Sequence, residues 1–417
     1  MEKQNYRVAI LGGRRTPFVK AGTVYKDISL KELGVHVLKA IVNDYKLAPE
    51  TIDEFVFSSV LFDPRMPNWS REILFAAGLP KTVYADSVSN NCISGLVALT
   101  RSADRIALGR SSLAIVGGAE TMSNPTLAFS YGASRIFLEL FRARSFGEKL
   151  SILSKLRPRH FAPAAPAITE PSTGLTMGQH TEMTAKQFKI SREAQDKLAF
   201  ESHARAFRAT QEGILAPFIA PLNNVTTDLL VRKDTTVEKL AKLPPVFDRK
   251  SGQGTLTAGN SSALTDGSAA MLIASEERAA KLGMEPLAYL TDYEFAALSP
   301  DEGLLMAPGL AVPRMLRRRG LKLEDFDLIE IHEAFSAQVE ANISAWENGW
   351  KEEAVGKLRR DRLNTLGGSI ALGHPFAATG GRIVTQLASE LKRNNYKRGL
   401  VSICAAGGMA GAVILER

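Results

Sequence analysis

Two cysteines and six histidines are all that the 417 residues offer for thiol or imidazole chemistry. Cys92 closes the polar run Ser87-Val-Ser-Asn-Asn-Cys92, and a small-residue apolar helix, Ile93–Leu108, begins at once. A helix N-terminus carries unpaired N–H groups and the positive end of the macrodipole, which favours a thiolate and places Cys92 as a nucleophile. The plainer alternative is a buried structural cysteine. His374 stands in Asn364-Thr-Leu-Gly-Gly-Ser-Ile-Ala-Leu-Gly-His374-Pro, a glycine-rich loop that leads into a helix. An imidazole there can act as a general base; a helix cap or a phosphate cradle are the alternatives. No Lys-Ser/Thr follows the glycines, so a P-loop is excluded.

His332 lies in Ile329-Glu-Ile-His332-Glu333-Ala-Phe335, a strand running into a turn. Cys404 lies in Ser402-Ile-Cys404-Ala-Ala406-Gly-Gly408, another strand ending in small residues. His332-Glu333 resembles half of a metal site, but Ser336 occupies the position where HExxH needs its second histidine, so no metal is expected. Each signal is modest alone. Together, two cysteines and two histidines at element ends describe a nucleophile with a base and further proton donors.

Such groups need a rigid frame. Residues 1–128 alternate short apolar strands with small-residue helices, and residues 277–417 repeat that style, with about 250–276 completing the first half. Leu47-Ala-Pro-Glu-Thr-Ile-Asp-Glu-Phe-Val-Phe57 can be laid on Leu321-Lys-Leu-Glu-Asp-Phe-Asp-Leu-Ile-Glu-Ile331 without a gap, the mark of a duplicated α/β unit. Residues 129–249 are richer in Pro, Lys, Arg and Gln, with a helical pattern over Ser191–Gln211, and read as an inserted loop domain. Hydrophobic residues at 45% and charged residues at 23% are ordinary for a globular chain and exclude a mainly disordered or fibrous one. No run reaches the length of a membrane span, residues 1–11 lack the features of a targeting segment, and the few thiols suit a reducing, cytoplasmic setting.

These motifs, with Gly118-Ala-Glu120-Thr-Met-Ser123 and Thr255-Leu-Thr-Ala-Gly-Asn-Ser-Ser-Ala-Leu-Thr-Asp266, resemble the thiolase family over nearly the whole chain. Within it they resemble the 3-ketoacyl-CoA branch found in trifunctional fatty-acid oxidation complexes, because most thiolases carry Asn where this chain has His332. The resemblance implies a layered α-β-α-β-α fold and CoA-dependent cleavage of a 3-ketoacyl-CoA through an acyl-cysteine. It implies Cys92 as nucleophile, His374 as its base, Cys404 as acid, and His332 as an oxyanion donor beside the backbone N–H of Ala406. It further implies that Met177, Arg232, Phe247, Ser261, Ser262, Met306 and Phe335 line a CoA site, with CoA a co-substrate and no resident cofactor. The same fold could run in the condensing direction as an acetyl-CoA acetyltransferase, or carry acyl-CoA without catalysis. A ketoacyl synthase is disfavoured by the second cysteine. His36, His160, His180 and His203 read as structural.

The net charge of +8 is concentrated, with net +5 between residues 131 and 160. There Phe137, Leu140 and Phe141 form one apolar helical face, and Leu150, Leu153 and Leu156 another after Gly147, both bordered by Arg and Lys. This suits tertiary packing, a partner protein or an anionic membrane surface; nucleic acid has no accompanying motif. The resemblance implies a homo-oligomer and a complex with a hydratase/dehydrogenase subunit.

Overall fold

The structure, a computed structural model, describes residues 6–163 and 169–417. The terminal run 1–5, and residues 164–168 of the expected loop domain, lie outside the described residues. Ten strands run in the order β1 Val8–Arg15, β2 Val19–Lys20, β3 Glu54–Ser58, β4 Tyr84–Val88, β5 Leu113–Glu120 and β6 Thr265–Ala274, then β7 Ala288–Ala297, β8 Leu328–Ile331, β9 Arg398–Ala405 and β10 Met409–Glu416. The helices of the first half are α1 Leu30–Asp44, α2 Trp69–Ala77 and α3 Ser94–Ala107. The inserted region holds α4 Tyr131–Arg142, α5 Phe146–Leu153, α6 Met177–Gln187, α7 Arg192–Gln211 and α8 Val237–Ala241. The rest are α9 Glu276–Lys281, α10 Pro308–Arg319, α11 Ser336–Asn348, α12 Ser369–Leu372 and α13 Thr379–Arg393.

The strands form one sheet in the order β4-β3-β5-β6-β1-β7-β10-β9-β8, with β2 on β6. Read outward from the centre, β1-β6-β5-β3 on one side matches β7-β10-β9-β8 on the other. The duplication seen in the sequence is thus a repeat of strand order, and the two matched segments place β3 and β8 in equivalent positions. β1 and β7 join the halves by a short antiparallel ladder, Val8–Ile10 against Ala288–Leu290. β5 and β6 are buried along their whole length, so both read as continuous runs of apolar and small residues.

Three buried clusters define the layers. One packs α1 and α2 on the first half-sheet through Leu33, Val37, Ile73, Phe55 and Leu272. Another packs α10 and α11 on the second through Val312, Leu316, Val339, Trp346 and Leu400. Between them α3 and α13 share one core, in which Leu96 and Leu99 meet Ile383 and Leu387 with strand residues of both halves. That is the α-β-α-β-α layering the resemblance implied.

The two central helices meet unusually closely at glycine. A Cβ on Gly95 would lie 2.8 Å from the carbonyl oxygen of Ala377, and one on Gly380 would lie 2.9 Å from the backbone nitrogen of Leu96. Glycine at both positions lets the backbones approach to a separation no side chain permits.

The inserted region divides in two. α6 and α7 pack on α11 and α12, with Ser191 capping α7 as the sequence pattern predicts. α4 and α5 pack chiefly on one another. The apolar pattern there needs one correction: the break falls at Ala143–Ser145, Gly147 lies inside α5, and Leu156 lies beyond that helix.

Candidate active site

The parallel strands of both halves send their carboxyl ends toward one cleft, where open α/β sheets bind ligands. After β4 the chain turns through Asn91, whose φ is 47°, and reaches Cys92. Ser94 secures this turn: its hydroxyl donates to the Asn91 carbonyl (2.6 Å) and accepts from the Asn90 N–H (2.7 Å). After α12 the chain turns at Gly373 to His374, whose N–H donates to Thr265 Oγ1 (3.1 Å). The close crossing of α3 and α13 then brings Cys92 Sγ to 3.2 Å from His374 Nε2.

The ring's other nitrogen determines what that contact does. His374 Nδ1 is 2.6 Å from Thr379 Oγ1, and the Thr379 hydroxyl donates to the Pro375 carbonyl at 3.1 Å. A carbonyl only accepts, so the one hydroxyl proton is engaged there and Thr379 Oγ1 must accept from Nδ1–H. Nε2 is left bare and faces the thiol as a base.

The helix-end argument for a stabilised thiolate is corrected here. Burial pushes the Cys92 thiol up to about 12, against the backbone N–H groups of Ala406 and Cys92 itself, which pull it down. Burial likewise pushes His374 down to about 3, with the Arg382 cation adding to the effect. The resting pair is a neutral thiol and a neutral imidazole, because desolvation of both charges outweighs the helix end.

His332 and Cys404 join this pair. The His332 ring, fully buried, lies with its centroid 4.0 Å from that of His374. Its Nδ1 is 2.8 Å from Ser369 Oγ, and its Nε2 has no hydrogen-bond partner. Cys404 is 1% exposed, and its thiol is raised well above the ordinary range, first by burial and then by the neighbouring Cys92. The loop after it is held from two sides: Asn91 Nδ2 donates to the Ala406 carbonyl (3.0 Å), and Gly407 N–H donates to Glu170 (3.0 Å). Gly408 has φ of 71°, and a Cβ there would meet the Leu298 carbonyl at 2.3 Å, so the Gly-Gly pair is what lets this loop turn.

Among the other site candidates, Met177, Phe247 and Phe335 gather in one apolar cluster with Cys404, Phe247 standing edge-on to Phe335 at 5.7 Å. Ser261 bridges to Phe335, and Ser262 N–H donates to the Ala334 carbonyl (2.9 Å). The segment carrying both serines is therefore stitched to the His332 turn. Met306 is elsewhere, fully buried against α11 with Ala341 and Ala345. Arg232 is exposed on a loop whose N–H donates to His203 Nδ1 (3.2 Å). His36, His160, His180 and His203 all hold local contacts away from the thiol pair. Among the described residues no group of three or more His, Cys, Asp or Glu side chains could hold a metal ion.

Several residues that position the site carry no motif of their own. Glu333 accepts from Ser202 (2.8 Å), Asn364 (2.6 Å) and the Ile370 N–H (3.1 Å), tying the His332 turn to α7 and α12. Buried Glu120 accepts from the N–H groups of Val60 and Leu61 (3.1 and 2.8 Å), and burial raises it to about 7. Thr379, Ser369, Arg382 and Glu170 act through contacts 5 to 237 positions apart, which spacing alone does not reveal.

Two family models match the chain, the thiolase N-terminal domain over residues 8–277 and the thiolase C-terminal domain over 284–417. The chain belongs to the thiolase family. It is 41% identical to a 3-ketoacyl-CoA thiolase of Yersinia enterocolitica, over 99% of this chain and 98% of the relative, and 40% identical to one of Colwellia psychrerythraea, over 98% and 97%. Among solved structures it resembles an acetyl-CoA acetyltransferase of Bacillus anthracis (TM-score 0.85, 32% identity, 98% of both chains). It also resembles the Acat5 thiolase of Ascaris suum in complex with coenzyme A (TM-score 0.83, 29% identity, 99% of this chain and all of the other).

Proposed function

We propose that this thiolase cleaves 3-ketoacyl-CoA with CoA, in fatty-acid β-oxidation, to acetyl-CoA and a shortened acyl-CoA. The observation that carries the reading is the 3.2 Å contact between Cys92 Sγ and a bare His374 Nε2, with a second thiol, Cys404, beside them. His374 Nε2 takes the Cys92 proton as the sulfur attacks the 3-keto carbon. The C2–C3 bond then breaks, leaving an acyl-Cys92 thioester and the enolate of acetyl-CoA. Cys404 gives its proton to C2, and acetyl-CoA departs. CoA enters, its thiol proton passes to the Cys404 thiolate, and its sulfur attacks the thioester. Cys92 leaves and recovers its proton from His374.

Two oxyanions form along this path. His332 Nε2 and the newly protonated His374 Nε2 serve the enolate oxygen, and the N–H groups of Cys92 and Ala406 serve the tetrahedral oxygen. Met177, Phe247 and Phe335 offer an apolar wall for the pantetheine arm, Ser261 and Ser262 polar groups beside it, and Arg232 a cation for the phosphates. Met306 would act only from behind this wall. No step calls for a metal or a redox group, and CoA is the co-substrate.

The test is loss of 3-ketoacyl-CoA absorbance on adding CoA, over short to long acyl chains, with Cys92→Ala alongside. Activity abolished by the substitution supports the reading, and a folded protein that binds acyl-CoA without turnover supports a carrier instead. The similarity to an acetyl-CoA acetyltransferase favours a second reading, condensation of two acetyl-CoA at the same site. Comparable rates in both directions on four-carbon substrate, with none on longer chains, would select it.

We further read the chain as a cytoplasmic homo-oligomer that docks a hydratase/dehydrogenase subunit through α4 and α5. Among the described residues no helix is long and apolar enough to cross a membrane. Tertiary packing does not account for the stripe, because Phe141 is 89% and Phe146 82% exposed. Co-elution with that subunit, lost in Phe141→Asp/Phe146→Asp, is expected. Sedimentation with anionic vesicles in place of co-elution would assign the surface to lipid.

A further inference from the structure

His332 and His374 are adjacent imidazoles, and each has its Nδ1 against a hydroxyl: Ser369 for the first, Thr379 for the second. The two hydroxyls differ in their third partner. Thr379 faces a carbonyl, which forces it to accept from its histidine. Ser369 faces a guanidinium instead, for Arg382 Nη2 lies 2.9 Å from Ser369 Oγ. Guanidinium groups only donate, so this contact uses a lone pair of the serine and leaves its proton free. Ser369 Oγ has one other hydrogen-bond neighbour, His332 Nδ1. All three atoms are buried, and a hydroxyl proton left idle there would cost the desolvation of an unsatisfied donor. The Ser369 proton therefore goes to Nδ1, and the ring proton of His332 sits on Nε2.

We infer that Arg382 and Ser369 form a positioning relay that holds His332 as the Nε2–H tautomer, so that the two neighbouring histidines present opposite faces to the substrate. One enters the reaction as a bare base and the other as a ready donor. The unpartnered, fully buried Nε2 of His332 is the atom left to make that donation. Arg382 is itself aimed by Gln386, whose Oε1 accepts from Nη1 at 2.9 Å on the next turn of α13. Its cation also opposes a second proton on either ring, keeping the donor neutral. Asparagine at this position would donate from an amide with no tautomer to choose. Histidine needs the relay, which is why Ser369 has a role here that follows from His332. The inference rests on the thiolysis reading for the identity of the acceptor, though not for the protonation state.

Two measurements test it. In the first, ring-15N-histidine protein is examined by NMR, with His332 assigned by its loss in His332→Asn. Bare and protonated ring nitrogens resonate far apart, so the tautomer is read without turnover. The expected result is bare Nδ1 and protonated Nε2 for His332, with the reverse for His374; a protonated Nδ1 on His332 overturns the relay. In the second, Ser369→Ala should lower kcat by about 10²-fold, the scale of losing one oxyanion donor, with KM changed by less than about threefold. Ser369→Thr, which keeps the hydroxyl, should recover most of that loss. Alkylation of Cys92 by iodoacetamide should stay within about twofold of wild type in Ser369→Ala, because the Thr379–His374–Cys92 contacts are untouched. An unchanged kcat in Ser369→Ala, or equal losses of kcat and of alkylation, overturns the positioning role. Absence of thiolysis in the wild type would instead overturn the proposed function and leave the tautomer result standing.

Discussion

The reacting groups are poised as neutral partners, and this has a consequence for pH. With His374 held down to about 3, its base form is complete throughout the range in which a free imidazole would titrate. We expect kcat/KM for thiolysis to stay flat from about pH 5.5 to 7.5; a limb near the ordinary imidazole value of about 6.5 would show that the ring is better solvated than its burial implies. The Thr379 hydroxyl holds His374 Nδ1 in the protonated form. Thr379→Val keeps the shape and removes that acceptor, so kcat should fall by about 10²-fold or more as the ring loses its tautomer, while the fold keeps its melting temperature. Equal activity would mean that packing alone orients the ring. Of the residue-scale picture, the sequence made Cys92, His374, His332 and Cys404 readable because each interrupts a pattern. Thr379, Ser369 and Arg382 were not readable, since on sequence they look like ordinary members of a helix start. Their meaning lies in which atom each faces. The sign of the Cys92 shift was also misread, because a helix end is visible in sequence and the depth of burial is not.

At the scale of elements, the active geometry depends on how closely α3 and α13 cross. Gly380→Ala inserts a methyl at 2.9 Å from a backbone nitrogen, which nothing flexible can absorb. It should cost about 1–3 kcal/mol of stability and separate Cys92 from His374 enough to lower kcat more than tenfold. A variant with full activity would show that the crossing has slack. A second element carries a pH signature. His203 on α7 is buried beside Arg232, and burial first, then that cation, lowers it to about 4. The unfolded chain therefore binds the extra proton between pH 4 and 6.5, so the contribution to stability is full above 6.5 and declines as pH falls toward 4. His203→Asn retains an oxygen for the Arg232 N–H and does not titrate. Its urea midpoint, measured as a difference from wild type, should therefore improve as pH drops through that window. A difference independent of pH would place the ring in solvent. The strands and α7 were legible from periodicity and capping, whereas the helix break in the basic segment was misplaced because Gly147 reads as a stop and α5 carries it within a first turn.

For the molecule as a whole, the layout was legible because a duplicated unit repeats its spacing, and a repeat is visible without knowing the fold. What the spacing could not convey is that the halves are not separate bodies. They share the core around α3 and α13, and the sheet continues through β1 and β7. Unfolding should therefore be one calorimetric transition, and Leu96→Ala, which empties that shared core, should shift all of it by about 2–5 kcal/mol rather than release one half first. Two resolved transitions would contradict this.

The strand order also sets a timetable for synthesis. β6 lies between β5 and β1 in the sheet, yet it follows β5 in the chain by about 140 residues, which a ribosome takes roughly ten seconds to make. Throughout that interval β1 and β5 have been made and have no neighbour for the edge that β6 will occupy. The inserted region is thus also a delay. Until it has emerged, the nascent chain presents two bare apolar edges, and chaperones have their clearest claim on it then.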